Sequence, residues 1–129
     1  MEDKELLEKL QASNLLSLAF LGDAVHTLFV RKRALDGAND KMNNYHSYAS
    51  KYCKASHQGA VYNRIAPLLT EEEQEVARRA RNAKPKHQAK NASHADYMLA
   101  TMFEAIVGYL YLKGDTKRLN EILELSIQD

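Results

Sequence analysis

Apolar residues recur at helical spacing along almost the whole of this chain. Leu6, Leu7 and Leu10 line one side of a short opening segment. Leu18, Leu21, Val25, Leu28 and Phe29 follow at steps of three and four, the period of an α-helix with one apolar face. Asn14 is placed to cap this second helix, which runs to about Leu35 and stops near Gly37. A third helix is predicted over about 40–53, and a fourth over about 55–68, ended around Pro67. Thr70 and Glu73 have the spacing of a capping box and open a helix through about Arg81. Asn82 to Asn91 (NAKPKHQAKN) reads as a loop, because Pro85 blocks helix continuation. Ser93 and Asp96 have the spacing of another cap, for a helix over about 94–112 that ends before Gly114. A last helix, about 116–127, carries Leu119, Ile122, Leu123 and Ile127 on one face. With five glycines, two prolines and few β-branched runs, the expectation is an all-α single domain over residues 1–129, of about six to seven helices.

Composition narrows the class. An apolar fraction of 45% and a charged fraction of 27% suit a soluble globular domain and not a disordered chain. The lone cysteine, Cys53, excludes an internal disulfide and suits a reducing compartment. The acidic, amphipathic start (MEDKELLEKLQAS) is unlike a signal or transit peptide, and no apolar run reaches the ~20 residues of a membrane span. A cytoplasmic protein without a membrane partner is expected. The net charge of +1 says little, but its distribution says more. Between Val76 and Ala95 stand Arg78, Arg79, Arg81, Lys84, Lys86 and Lys90 with no acidic residue among them.

Two acids stand out against their surroundings. Asp23 is the only formal charge in NLLSLAFLGDAVHTLFV, and Glu104 the only one in YMLATMFEAIVGYLYL. Helices this apolar are expected to bury both carboxylates at least in part, which is costly unless each is paired or bound to a cation. Gly22 precedes Asp23, and Ala105 and Gly108 flank Glu104. Glycine inside a helix costs about 1 kcal/mol relative to alanine, so a close helix crossing is its expected reason. A crossing at these small residues brings the carboxylates together, and Mg²⁺ is a natural positive centre between them. The same residues also allow a plainer reading, in which each acid is buried against an arginine or accepts hydrogen bonds from helix ends.

The stretches AFLGDAV (Ala19–Val25) and FEAIVGYL (Phe103–Leu110) resemble the two ordered motifs of the ribonuclease III catalytic domain. RNAK at 81–84 and TEEE at 70–73 are similar to the small Mini-ribonuclease III subfamily, which lacks a double-stranded-RNA-binding domain. The resemblance covers nearly the whole chain. It implies a ribonuclease III-type endonuclease fold and Asp23 and Glu104 as catalytic, metal-holding carboxylates, with Mg²⁺ as cofactor and Mn²⁺ as a substitute. It further implies a homodimer that hydrolyses double-stranded RNA, leaving a 5′-phosphate and a 3′-hydroxyl. The family role is maturation of ribosomal RNA precursors, chiefly of the large (23S) subunit. Two departures from full-length ribonuclease III matter: Ala19 and Thr101 stand where that family has acids, which leaves fewer protein ligands for metal.

Arg79, Arg81, Asn82, Lys84, Lys86 and Lys90 are the candidate RNA contacts, recognising phosphates and duplex shape. Arg78 and Arg79 also suit the C-terminal end of a helix dipole, a structural reading of equal standing. Tyr45, Tyr48 and Tyr52 form a stripe suited to core packing or a dimer contact. Thr101 and His26, one turn from Glu104 and Asp23, are weaker candidates for touching a ligand. The other histidines lack zinc-like spacing. Two further readings remain open: a catalytically silent ribonuclease III-like dimer that only binds structured RNA, and a helical protein-interaction module.

Overall fold

The computed structural model describes residues 1–36, 41–83 and 93–128. Seven α-helices form among them: α1 (Asp3–Ser13), α2 (Leu16–Leu35), α3 (Met42–Cys53), α4 (Ala55–Ile65), α5 (Glu71–Asn82), α6 (His94–Lys113) and α7 (Thr116–Ser126). No strand occurs among the described residues. The least polar segment became the axis of the structure. Helix α6 buries residues on every side between Ala100 and Leu112, and α1, α2, α4, α5 and α7 all pack against it. Phe103, Ile106 and Leu110 are essentially inaccessible, each contributing roughly 1.5–3 kcal/mol of apolar burial.

The helix ends follow from local chemistry. Asn14 Oδ1 accepts the Leu16 N–H at 2.9 Å, but the N-cap position of α2 is Leu15 and not Asn14 as expected, one residue later along the chain. Thr70 and Glu73 close a reciprocal capping box at the start of α5, with bonds of 3.1 and 3.0 Å. Ser93 accepts the Asp96 N–H at 3.0 Å and starts α6. Gly114, at φ 80°, ends it: Asp115 N–H reaches back to the Leu110 carbonyl at 3.2 Å, a left-handed cap that glycine adopts without strain. The fourth helix ends earlier than its apolar pattern suggests. Helix α4 stops at Ile65, and Ala66–Leu68 tighten into a 3₁₀ turn, because Pro67 has no N–H to continue the ladder.

One expectation fails. Asp23 is exposed, whereas Glu104 is half-buried as expected. Helix α2 presents one side to α6 and leaves the other open, so its apolar residues do not all enter the core. Phe20 is 84% and Leu28 62% accessible, and Ala24 between them is exposed too.

Candidate active site

The carboxylates meet because α2 and α6 touch backbone to backbone. A Cβ added to Gly22 would stand 1.8 Å from the carbonyl oxygen of Glu104, and one added to Gly108 would stand 2.1 Å from that of Leu18. No residue larger than glycine fits either place without parting the helices. Asp23, next to Gly22, is thereby brought within hydrogen-bonding contact of the Glu104 side chain. Among the described residues no arginine forms an ion pair with either acid.

Burial and the adjoining Asp23 carboxylate push Glu104 up to about 9, while a hydrogen bond from Gln58 pulls the other way. Without a positive centre, Glu104 therefore keeps its proton near neutral pH. The hard oxygen donors face one another, and no group of three or more His, Cys, Asp or Glu side chains suited to a metal occurs among the described residues. This donor set suits Mg²⁺, which binds through one or two carboxylates and takes its remaining oxygens from water and phosphate.

The surroundings hold these acids in place. His26 is fully buried and held well below its usual range, to about 4, by burial and by nearby His57. Its ring stands edge-on to Phe103 at 5.0 Å, and both ring nitrogens are engaged, one with Gln58 and one with Ser126. His26 is thus a satisfied core histidine. The Thr101 hydroxyl donates to the Tyr97 carbonyl at 2.9 Å, which commits its proton locally. Cys53 approaches Thr27 at 3.9 Å, and burial pushes its thiol up, with the negative charges of Asp23 and Glu104 adding to the effect. Tyr52 is buried, with Tyr48 and His57 rings at 4.8 and 4.9 Å, so the tyrosine stripe is packing in this part of α3.

The basic candidates divide. Arg78 pairs with Glu75 at 2.5 Å, and the Arg79 guanidinium donates to the Gln11 carbonyl at 2.6 Å, tying α5 to α1. Arg81 and Asn82 are exposed at the end of α5, and Arg81 lies near Tyr62. Lys84, Lys86 and Lys90 lie outside the described residues. Sequence reasoning missed Gln58. A signal for it exists: Gln58 precedes Gly59, whose Cβ would meet the Asp96 carbonyl of α6 at 3.3 Å, just as Asp23 follows Gly22 at the other crossing.

Known proteins resemble this chain along most of its length. The ribonuclease III domain family matches residues 16–115, a span that includes both carboxylates. Mini-ribonuclease 3 of Symbiobacterium thermophilum is 47% identical over 84% of this chain and 84% of its own length. The chain belongs to the ribonuclease III family, in its Mini-ribonuclease 3 branch. A second member of that branch, from a Thermoanaerobacter species, is 44% identical over 99% of this chain and 92% of its own. A Fusobacterium nucleatum protein solved by X-ray crystallography superposes with a TM-score of 0.81 at 30% identity, covering 89% of this chain and 92% of that one. The ribonuclease III domain therefore spans residues 16–115, and the fold is shared with the Fusobacterium protein over 89% of this chain.

Proposed function

We propose that this chain is a Mg²⁺-dependent endoribonuclease of the ribonuclease III type that cleaves double-stranded RNA, leaving a 5′-phosphate and a 3′-hydroxyl. The observation that carries the reading is the meeting of Asp23 and Glu104 across the Gly22–Gly108 crossing. Asp23, exposed, and Glu104, half-buried, would hold the ion between them. A divalent ion held there would supply charge neutralisation at the phosphate and lower the cost of deprotonating the attacking water. The acids orient that ion and need no covalent nucleophile. Mn²⁺, of similar oxygen preference, would substitute.

The active form is a homodimer, with one site for each strand of the duplex. Phe20, Ala24 and Leu28 lie one turn apart on the open side of α2, beside Asp23, and a stripe this apolar is suited to a second copy of the chain. Arg81 and Asn82, followed in sequence by Lys84, Lys86 and Lys90, would grip phosphates, with Arg79 dividing its role between α1 and the RNA. The substrate would be a precursor of large-subunit (23S) ribosomal RNA in the cytoplasm. The lone cysteine is consistent with that compartment. No helix among the described residues is long and apolar enough to cross a membrane.

Incubating the purified protein with duplex RNA, in Mg²⁺ or in EDTA, tests this directly. Cleavage should require the ion. It should fall in Asp23→Asn by well over the ~100-fold typical of a change that touches a metal only indirectly. Duplex binding without cleavage, or equal cleavage by Asp23→Asn, would refute the catalytic assignment.

A further inference from the structure

Beneath the acid pair runs a chain of buried hydrogen bonds whose direction can be deduced one proton at a time. Ser126, at the end of α7, approaches the Leu123 carbonyl at 2.6 Å; a carbonyl only accepts, so the serine hydroxyl donates. Its single proton is then spent. The 3.0 Å contact between Ser126 Oγ and His26 Nε2 must accordingly be donated by the histidine. A neutral imidazole carries one N–H, so His26 Nδ1 is a bare acceptor, and the Gln58 side chain 3.0 Å away must present its NH₂ group and not its oxygen. Gln58 is 3% accessible, and its side chain also lies against Glu104. Reversing the amide would set its oxygen against the bare His26 Nδ1. The neutrality of His26 agrees with its burial, which holds the ring well below its usual range.

We infer that Gln58 is a positioning residue for the active site: its amide, aimed by His26 and Ser126, holds the Glu104 carboxylate in the orientation needed to ligate a divalent ion. One N–H of Gln58 goes to His26, which leaves the other to face Glu104 from the buried side. No buried side-chain polar atom among the described residues is left without a partner. Partners that orient a metal-ligating side chain are typically worth about 10–100-fold in metal affinity. The inference rests on the metal-holding role proposed above for Glu104.

Measurement on the unaltered protein and on one variant tests it. In a two-bond ¹H–¹⁵N spectrum of labelled protein, His26 should be the Nε2–H tautomer; the Nδ1–H tautomer would turn the Gln58 amide around and overturn the inference. In Gln58→Met, which keeps the side chain's length and removes its donors, Mn²⁺ affinity followed by electron paramagnetic resonance should fall about 10–100-fold. Duplex RNA binding in EDTA should stay unchanged. Equal Mn²⁺ affinity in Gln58→Met and parent removes the positioning role while leaving the nuclease reading intact. A parent protein that binds no Mn²⁺, or binds it equally well as Asp23→Asn, defeats the metal reading itself and this inference with it.

Discussion

Replacing Gly22 with alanine is the sharpest test of how this fold makes its site. The added Cβ would lie 1.8 Å from the Glu104 carbonyl oxygen, 2.7 Å from its carbon and 2.9 Å from the Gly108 nitrogen, all backbone atoms that no rotamer change can remove. Restoring ordinary contact requires α2 and α6 to part by roughly 1.6 Å, the gap between 1.8 Å and the 3.4 Å at which such contacts become normal. Leu18, Ala19, His26 and Val30 are buried on α2, and radial gaps of 0.5–1 Å already forfeit about a quarter to a half of each atomic contact. Overpacking typically costs about 1–3 kcal/mol, and the upper end applies where the obstacle is backbone. Against this, alanine gains about 1 kcal/mol of helix propensity over glycine. The net expectation is a loss of about 2 kcal/mol, read as a lower urea midpoint at unchanged slope. Asp23 would move by more than 1 Å relative to Glu104, which costs on the order of 100-fold in cleavage. Gly59→Ala is the control: its nearest contact is 3.3 Å, so propensity should roughly balance crowding. Gly108→Ala acts at the same crossing, and adding it to Gly22→Ala should cost less than the sum, because the helices have already parted. A Gly22→Ala protein with the parent's midpoint and cleavage rate, or a Gly59→Ala protein as damaged as Gly22→Ala, would refute the crossing as the origin of the site.

In metal-free protein, Glu104 ionises in the fold near 9, above its unfolded value of 4.5, so its contribution to stability is complete below that unfolded value and drains away as pH rises toward 9. His26, held near 4, acts in the opposite sense only below about 6.5, and the raised Cys53 thiol adds a loss of the same sign as pH approaches 9, so the interval from about pH 7 to 8 isolates Glu104: stability in EDTA should fall across it by less than the one-proton limit of about 1.4 kcal/mol per pH unit, and Glu104→Gln should flatten the slope. Arg118 grips Glu73, 2% accessible, through two 2.8 Å bonds, so Arg118→Ala should strand a buried charge and lower unfolding free energy by about 3 kcal/mol; a loss below about 1 kcal/mol would show the pair to be well solvated. Phe20→Asp should yield a monomer in sedimentation velocity with its helical circular dichroism retained and its duplex cleavage lost, whereas an intact dimer would exclude the open side of α2 as the interface.

Much of this molecule was legible because its signals are local. The capping chemistry of Thr70–Glu73, Ser93 and Gly114 acts within a few residues, and each cap formed where its spacing placed it. The joining of Asp23 to Glu104 is not local, yet it too was legible. Glycine in the middle of an apolar helix has few reasons to be there, and an isolated acid beside it has fewer. What the chain could not disclose is which side of α2 meets which neighbour. The periodicity of Leu18, Leu21, Val25 and Leu28 marks an apolar helix, but the same residues serve a core and an exposed stripe equally, and Leu28 is exposed where Leu18 is buried. The exposure of Asp23 follows from that division, since it shares the open side with Phe20. Arg79 was ambiguous for a similar reason: its carbonyl partner, Gln11, is 68 residues away, and a main-chain acceptor leaves no trace in residue identity.

Gln58 shows where the reading of such chains can be extended. An amide on a moderately polar helix carries no chemistry of its own, and nothing in its composition separates it from a surface glutamine. Its neighbour does. Helices α2 and α4 both approach α6 at a glycine, and in both the residue adjoining that glycine directs a polar side chain to Glu104. The cause is geometric: where a helix comes closest to its partner, the residue next to the contact is directed along the seam between them, so a polar side chain there is forced into whatever the seam encloses. A seam that enclosed only packing would reject Gln58, 3% accessible, because a buried polar group without a partner costs about 1–3 kcal/mol; Asp23 lies at the exposed edge of its seam. Polar residues adjoining mid-helix glycines on two separate helices therefore point to one shared polar centre, and in this fold that centre is the Glu104 carboxylate.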